Sequence, residues 1–339
     1  MQVRVAGRWM DDLAPWGDLS YSSDEHGCAA ASWAAYFAPG VRHPAMRRGA
    51  LVEVLLGPVV IWSGFLDEID WAAGTFQAKG YSFQAENFPA LDGSGNASST
   101  PSVAVDAAIG LGWNVTRDAS VPTTAFTTTA DGSKTVGNLL DANSDELGHR
   151  WSVRADRVVR MEADTSTPTL MIRAGVVSLG IASDDYASAI IARYDTGAGF
   201  ASTPAVTDPD APDFGPKILL LDLTELGTMT QARAEGYAAG ILAKGAARLG
   251  WLSAIEVTPA ELRTMGDTPA DLATTRAGHM VRIFAGHEDL QYLDGRTYLD
   301  VVIGSTQYAG GDRLTIGPMG SVVQTLAEAI AALTEEAAA

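Results

Sequence analysis

Cysteine is nearly absent from this chain. One thiol in 339 residues, Cys28, excludes an internal disulfide framework and any zinc site built on several thiolates. Its expected place is that of a small buried residue. Long apolar runs are missing as well. None approaches the roughly 20 residues needed to cross a bilayer, so no membrane segment is expected. The opening Met1-Gln2-Val3-Arg4-Val5 lacks the apolar stretch of a signal peptide. The chain is therefore expected to be made and kept in the cytosol until it is assembled.

Positive charge is also scarce, with 23 Lys+Arg against 41 Asp+Glu and a net charge of -18. The deficit is even: 11 acidic and 6 basic residues fall in 1–100, 15 and 8 in 101–216, and 15 and 9 in 217–339. No separate basic module exists that could grip nucleic acid through its phosphates. General solubility is the simplest use of this charge.

Reactive constellations are lacking too. A catalytic site needs a nucleophile, a base and an orienting group, or metal ligands, at workable spacing. No Gly-x-Ser-x-Gly elbow or His-Glu-x-x-His helix is present, and Gly197-Ala198-Gly199 breaks off at Ser202 without the strand-then-helix setting of a phosphate loop. His26 and Cys28 would share a face of a strand, but cysteine hydrolases bring their histidine from a distant segment. His287-Glu288-Asp289 reads as a solvated hairpin tip. Asp67 and Glu68, or Asp184 and Asp185, could serve a glycosidase only if their spatial separation suited it. Neighbours in a strand point to opposite faces, which argues against the first pair. Asp208, Asp210 and Asp213 lie among prolines in an extended loop, and a calcium site needs several more oxygen ligands around a sharp glycine turn. The eight Trp are scattered, as core residues are, and form no carbohydrate platform. No catalytic, cofactor-binding or metal-binding residue is therefore assigned.

What the chain does contain is 47% hydrophobic residues, 35 Gly and 15 Pro, the composition of a packed protein with many turns and short strands. Its length calls for two or three domains. Leu51–Leu56, Val59–Trp62 and Thr75–Ala78 are short apolar or alternating runs divided by Gly57-Pro58 and Ala73-Gly74, so the first ninety residues are expected to form an antiparallel meander. The Gly- and Ser-rich segment from Leu91 to Pro101 marks a first boundary as a flexible connection.

Thr100-Pro101 opens a helix through about Ile109, and a second helix is expected at about 135–147. There Val136, Leu140, Asn143 and Leu147 fall near one face, and Gly148 stands where a left-handed residue is wanted. Residues 151–154 and 158–161 read as two strands around a turn at Asp156-Arg157. The Pro-rich run 203–213 marks the second boundary. Beyond it come a strand at 218–223, a helix at about 228–249 with Thr228 and Gln231 in capping-box spacing, and a last helix from Ser321. The expected class is α+β and β-rich: a barrel-like domain at 1–92, an α+β middle at 93–216, and a second barrel-like domain at 217–339 with a C-terminal helix.

The two outer regions share a pattern. Arg47-Arg48-Gly49-Ala50-Leu51-Val52-Glu53-Val54 matches Arg276-Ala277-Gly278-His279-Met280-Val281-Arg282-Ile283 as Arg-x-Gly-x-large-Val-x-branched. Ser63-Gly64-Phe65 and Ile303-Gly304-Ser305 each carry a glycine in a later strand. Trp71 to Phe76 parallels Tyr308 to Leu314 as aromatic, turn, strand. Glycines inside strands suit the bends of small closed barrels, so two similar barrels are expected at about 40–80 and 272–318.

The segments Arg48 to Glu68, Thr135-Val136-Gly137-Asn138-Leu139-Leu140-Asp141, Leu147-Gly148-His149-Arg150-Trp151, Leu221 to Gly227, Gly240 to Gly245, Gly266 to Leu272, Arg276 to Arg282 and Val302 to Tyr308 resemble the minor tail proteins of long-tailed actinobacterial phages. Those are similar to the hub proteins of contractile phage baseplates. The similarity covers most of the chain in order, and none of its motifs is catalytic.

The resemblance implies a virion component between the tail tube and the fibres or spike. It would work as a trimer whose paired barrels form a ring, alongside distal tail, tape measure and fibre or spike subunits, with DNA leaving through the middle. With its last helix expected close to residue 339, no appended peptidoglycan-cutting or sugar-binding domain is expected, which puts a direct receptor role in doubt. Two other classes stay open: a cell-wall hydrolase, which a zymogram would reveal, and a carbohydrate-binding module, which glycan binding weakened by Trp or Tyr substitution would reveal.

Overall fold

Alternating burial lays down the first strands. In the computed structural model, which describes residues 1–38, 40–125, 134–163, 167–173, 175–177, 179–180, 187–207, 216–246, 250–251, 254–285 and 297–318, five antiparallel strands follow one another: β1 (Trp16–Asp24), β2 (Gly27–Ala35), β3 (Leu51–Leu56), β4 (Val59–Asp70) and β5 (Thr75–Gly80). In β5, Phe76 and Ala78 are buried while Thr75, Gln77 and Lys79 face solvent, the period-2 signature of a sheet with one covered face. Strands β3, β4 and β5 form the expected meander, whereas β2 pairs with β5 and not with β3. A helical turn at Met10–Leu13 precedes these strands and a 3₁₀ segment at Tyr81–Asn87 follows them, where Tyr81 and Ala85 turn into the interior.

The middle holds helices α1 (Pro101–Gly110) and α2 (Val136–Leu147), strands β6 (His149–Val153), β7 (Val158–Ala163), β8 (Ala189–Asp195) and β9 (Ile218–Asp222), and helix α3 (Gln231–Ala246). Pro101 stands in the first turn of α1, where its missing N–H costs nothing. At α2 the backbone N–H of Asn138 donates to the Thr135 hydroxyl at 3.1 Å, and the Thr135 N–H donates to the Asn138 side-chain oxygen at 3.0 Å. Gly148 closes α2 in the left-handed conformation.

Several details depart from the sequence reading. Leu147 is 45% exposed, because the chain reverses at Gly148 and Leu139 and Leu140 take the buried face. Helix α3 begins at Gln231, with Arg233 and Ala234 donating to the Thr230 carbonyl, so the Thr228–Gln231 spacing is not its cap. The 91–101 connection is an ordered turn: Asp92 accepts from the N–H groups of Ser94 and Asn96 at 2.8 and 2.9 Å, and Leu91 bridges Ala97. The run from Thr203 starts as a sheet edge, Val206 pairing with Ile190 and the Thr203 hydroxyl accepting from the Ala192 N–H at 3.0 Å. The helix expected from Ser321 lies outside the described residues.

The last region supplies β10 (Ile255–Val257), β11 (Met280–Phe284), β12 (Tyr298–Tyr308) and β13 (Leu314–Pro318). Its hydrogen-bonded order, β10-β13-β12-β11, repeats β2-β5-β4-β3 of the first region. The registers coincide. Val52 pairs Gly64 and Leu51 pairs Phe65, while Val281 pairs Val301 and Met280 pairs Val302.

A bulge follows at the same place in each, between Leu66 and Glu68 and between Ile303 and Ser305. Gly49 (φ 81) and Gly278 (φ 87) turn the chain into β3 and β11. Their N–H groups donate to the Leu66 and Ile303 carbonyls at 2.7 and 2.8 Å. This register corrects the glycine correspondence read from the sequence: Gly64 stands where Val301 does, and Gly304 occupies the bulge held by Asp67 in the first region.

Both regions belong to one 16-stranded sheet. β12 pairs with β1 through Thr306–Ser23, Gln307–Ser22 and Tyr308–Tyr21. One apolar cluster accordingly runs through both, from Trp33, Trp62 and Phe76 to Val281, Ile303 and Ile316. A second joins Trp113, Leu140 and Trp151 to Ile190, Leu221 and Tyr237, so β9 and α3 pack with residues that precede position 217. Helix α3 approaches α2 so closely at Gly240 that a methyl group there would overlap the Asp145 carbonyl oxygen. The chain is β-rich α+β, and no helix of the described residues is long and apolar enough to cross a membrane.

Candidate functional site

Four segments distant in sequence, 21–28, 59–62, 150–163 and 273–278, meet with Thr306 at a cleft of about 250 Å³. Backbone pairing brings them together. The Val153 N–H of β6 donates to the His26 carbonyl at 2.8 Å. Gly27 sits against Val153 so tightly that a methyl group would overlap its carbonyl oxygen. From the other side, the Ala277 N–H donates to the Ser23 hydroxyl at 2.8 Å, Ser23 and Thr306 share a hydrogen bond of 2.7 Å, and the Tyr21 hydroxyl donates to the Ala273 carbonyl at 2.7 Å. Burial raises the Tyr21 phenol, so it stays a neutral donor.

The cleft walls carry Arg150, Arg154 and Arg276 with Asp24, Glu25 and Glu162. Arg154 holds Glu162 at 2.8 Å, and Asp24 accepts from the His26 N–H at 2.9 Å, burial raising its carboxyl against the pull of His26. The Arg276 carbonyl accepts from the His279 N–H, but its guanidinium forms no hydrogen bond or ion pair among the described residues. Arg276 is exposed at the cleft mouth, and partial desolvation, then the like charge of Arg154, pulls its guanidinium below the usual range. His279 feels the same surroundings: burial first, then Arg276 and Arg154, push it down to about 4, so it is neutral at pH 7.

The groups singled out in the sequence fall as follows. Cys28 is buried in the sheet core with its thiol pushed up to about 12 by desolvation, so it holds no thiolate at neutral pH. His26 lies in the β1–β2 turn with its ring 4.5 Å from that of Trp151 and makes no hydrogen bond to Cys28. Asp67 sits in the β4 bulge, held by Arg48 at 3.0 Å and Lys79 at 2.8 Å; the Lys79 hydrogen bond, followed by that of Arg48, keeps its carboxyl below the usual range. Glu68 is exposed.

Gly197 and Gly199 form the turn between β8 and the strand Phe200–Ser202, where Gly197 donates to Asp195 at 2.7 Å. Asp184, Asp185, Asp208, Asp210, Asp213 and His287 to Asp289 lie outside the described residues. Among the described residues no three His, Cys, Asp or Glu side chains gather as metal ligands.

In the sequence Arg276 stands out only as a letter of the repeated pattern and Arg154 only as a strand residue, and Glu162 does not stand out at all. Nothing in their local spacing signals that they meet, because Arg154 and Arg276 are joined only by long-range pairing.

No protein-family model matches the chain, and no curated protein matches it. Solved structures do. The 43 kDa tail protein of prophage MuSo2 from Shewanella oneidensis is 14% identical, with 93% of this chain and 96% of that one covered at a TM-score of 0.58. A tail protein from Neisseria meningitidis MC58 is 12% identical over 97% of this chain and 98% of that one, with a TM-score of 0.60. Prophage tail protein gp18 from Listeria monocytogenes EGD-e is 12% identical over 94% and 93%, with a TM-score of 0.57. The chain shares its fold with these three tail proteins along nearly its whole length.

Proposed function

We propose that the chain is a structural phage tail protein of the hub type, part of the virion at the tail tip of a long-tailed phage. The observation that carries this is the end-to-end fold likeness to three tail proteins, which leaves no sizeable part of any chain unmatched. The duplicated four-stranded unit supports the finer reading. Each copy of the chain contributes two related barrel-like units, from its first and last regions, on either side of an α+β middle. Three copies then present six similar units around one axis, which suits a junction between a sixfold tube and a threefold tip.

Neighbours on this reading are the distal tail and tape measure proteins above and fibre or spike subunits below. DNA passes through the ring without being gripped, and the -18 net charge suits a lumen poor in phosphate-binding cations. The chain performs no reaction. The thiol of Cys28 is protonated, and Asp67 is occupied by Arg48 and Lys79.

The test is to raise antibody fragments against the folded chain and image labelled virions. Label confined to the tail tip is expected. Label on the capsid or along the tail shaft would refute the placement. Clearing of host cell walls by the purified chain, abolished by one carboxylate or cysteine substitution, would refute the structural role.

A further inference from the structure

The cleft where these segments meet has a chemistry that the proposed tail role does not use. Part of its lining is apolar, with Val59, Val60 and Trp62, and Val59 is 59% exposed at the start of β4. Other lining residues are charged. Glu162 and Arg154 satisfy each other at 2.8 Å, and Asp24 takes the His26 N–H. Arg276 is left with no acceptor, although acidic groups outnumber basic ones 41 to 23 in the chain and most other described arginines hold a carboxylate, as Arg4, Arg117 and Arg282 do. A guanidinium at a cleft wall without an acceptor is a preformed oxyanion receptor.

We propose that this cleft binds a small carboxylate-bearing molecule with an apolar body, its oxyanion on Arg276 and its body against Val59, Val60 and Trp62. The balance of charge selects a monoanion. One unpaired guanidinium neutralises one negative charge, while Asp24, Glu25 and Glu162 on the same walls oppose a dianion such as phosphate. The volume of about 250 Å³ admits a ligand the size of a single aromatic or branched acid, with most of its surface covered. A bound carboxylate would also ease the field that holds His279 neutral, since Arg276 is the foremost charge acting on that ring. Ligand binding and His279 ionisation are therefore linked.

Benzoate serves as the probe, with benzamide lacking the charge and inorganic phosphate lacking the apolar body. Titration of the purified full chain, followed by NMR of the histidine rings, is expected to show saturable benzoate binding. Benzamide and phosphate should bind about tenfold or more weakly. Saturating benzoate should raise the His279 pKa from about 4.

Arg276→Gln should weaken benzoate about tenfold or more. Val59→Glu, at an exposed position that spares folding, should do so by setting a carboxylate beside the ligand. No saturable binding, equal binding of benzamide or phosphate, either variant binding like the parent, or an unmoved His279 would each overturn the proposal.

Discussion

The first and last four-stranded units share backbone and differ in side chains. Gly49 and Gly278 make the same turn, donate to the same place on the next strand, and lead to the same bulge. Val52, Val54, Leu66 and Phe76 of the first unit correspond to Val281, Ile283, Ile303 and Ile316 of the last, and all eight are fully buried. Around this frame the chemistry diverges. Ala50 corresponds to His279, Gly64 to Val301 and the ion-paired Asp67 to Gly304. The first unit is flanked by the antiparallel strand Gln2–Val5, and the last by the parallel strand Leu170–Ile172. A repeated register therefore needs only a left-handed turn, a bulge and an apolar face. The remaining positions are free to make junctions.

The largest way to break the comparison is through the shared core. Leu66→Ala and Ile303→Ala should each cost about 2–5 kcal/mol, by lost burial and the cavity left behind. Both residues lie in one apolar cluster, so denaturant unfolding of either variant should show the sheet melting in a single transition. Two separate transitions would mean that the units are independent.

Acid distinguishes the units. His279 has a folded pKa of about 4, below its ordinary 6.5. Below pH 6.5 the unfolded chain binds a proton that the folded chain refuses. Stability is therefore intact at neutral pH and declines as the pH falls from about 6.5 to about 4, by at most about 3 kcal/mol. His279→Ala copies Ala50 and should flatten this part of the curve, read by thermal unfolding against pH. A variant with the parent's full slope would contradict the assignment.

Smaller effects should be equal between the units. Gly49→Ala and Gly278→Ala each force a side chain into the left-handed region and should each cost about 1–2 kcal/mol, measured by chemical denaturation. A cost at only one of them would show that the turns are not equivalent. Smallest are the charge pairs. Asp300→Asn removes the bidentate contact to Arg282, both bonds at 2.8 Å, and Asp67→Asn frees Arg48 and Lys79. Each should cost about 1 kcal/mol or less near neutral pH. The Asp67 carboxyl is held low when folded, so its contribution is present above the ordinary carboxylate range and fades as acid protonates the folded form.

Much of this was legible in the sequence where the signal was local. Thr135 and Gly148 bound α2, Pro101 opens α1, and the Arg-x-Gly pattern located both turns. What failed depended on distance. The glycines at 64 and 304 looked equivalent because sequence shows no register, and only hydrogen bonding reveals that one lies opposite Val52 and the other in a bulge. One difference is local: the Gly- and Ser-rich run at 91–101 reads as a flexible link, but the Asp92 carboxylate organises its own backbone into a turn. The cleft was unreadable, because its walls come from residues 24, 59, 154 and 276, which no spacing connects.

The most direct test of the account is the copy number and position of this chain in a cryo-EM map of the intact tail tip. Three copies are predicted in a closed ring on the tail axis, each presenting its first and last units in similar surroundings around a lumen free of basic clusters. Six copies, a position off the axis, or first and last units in unrelated environments would contradict it.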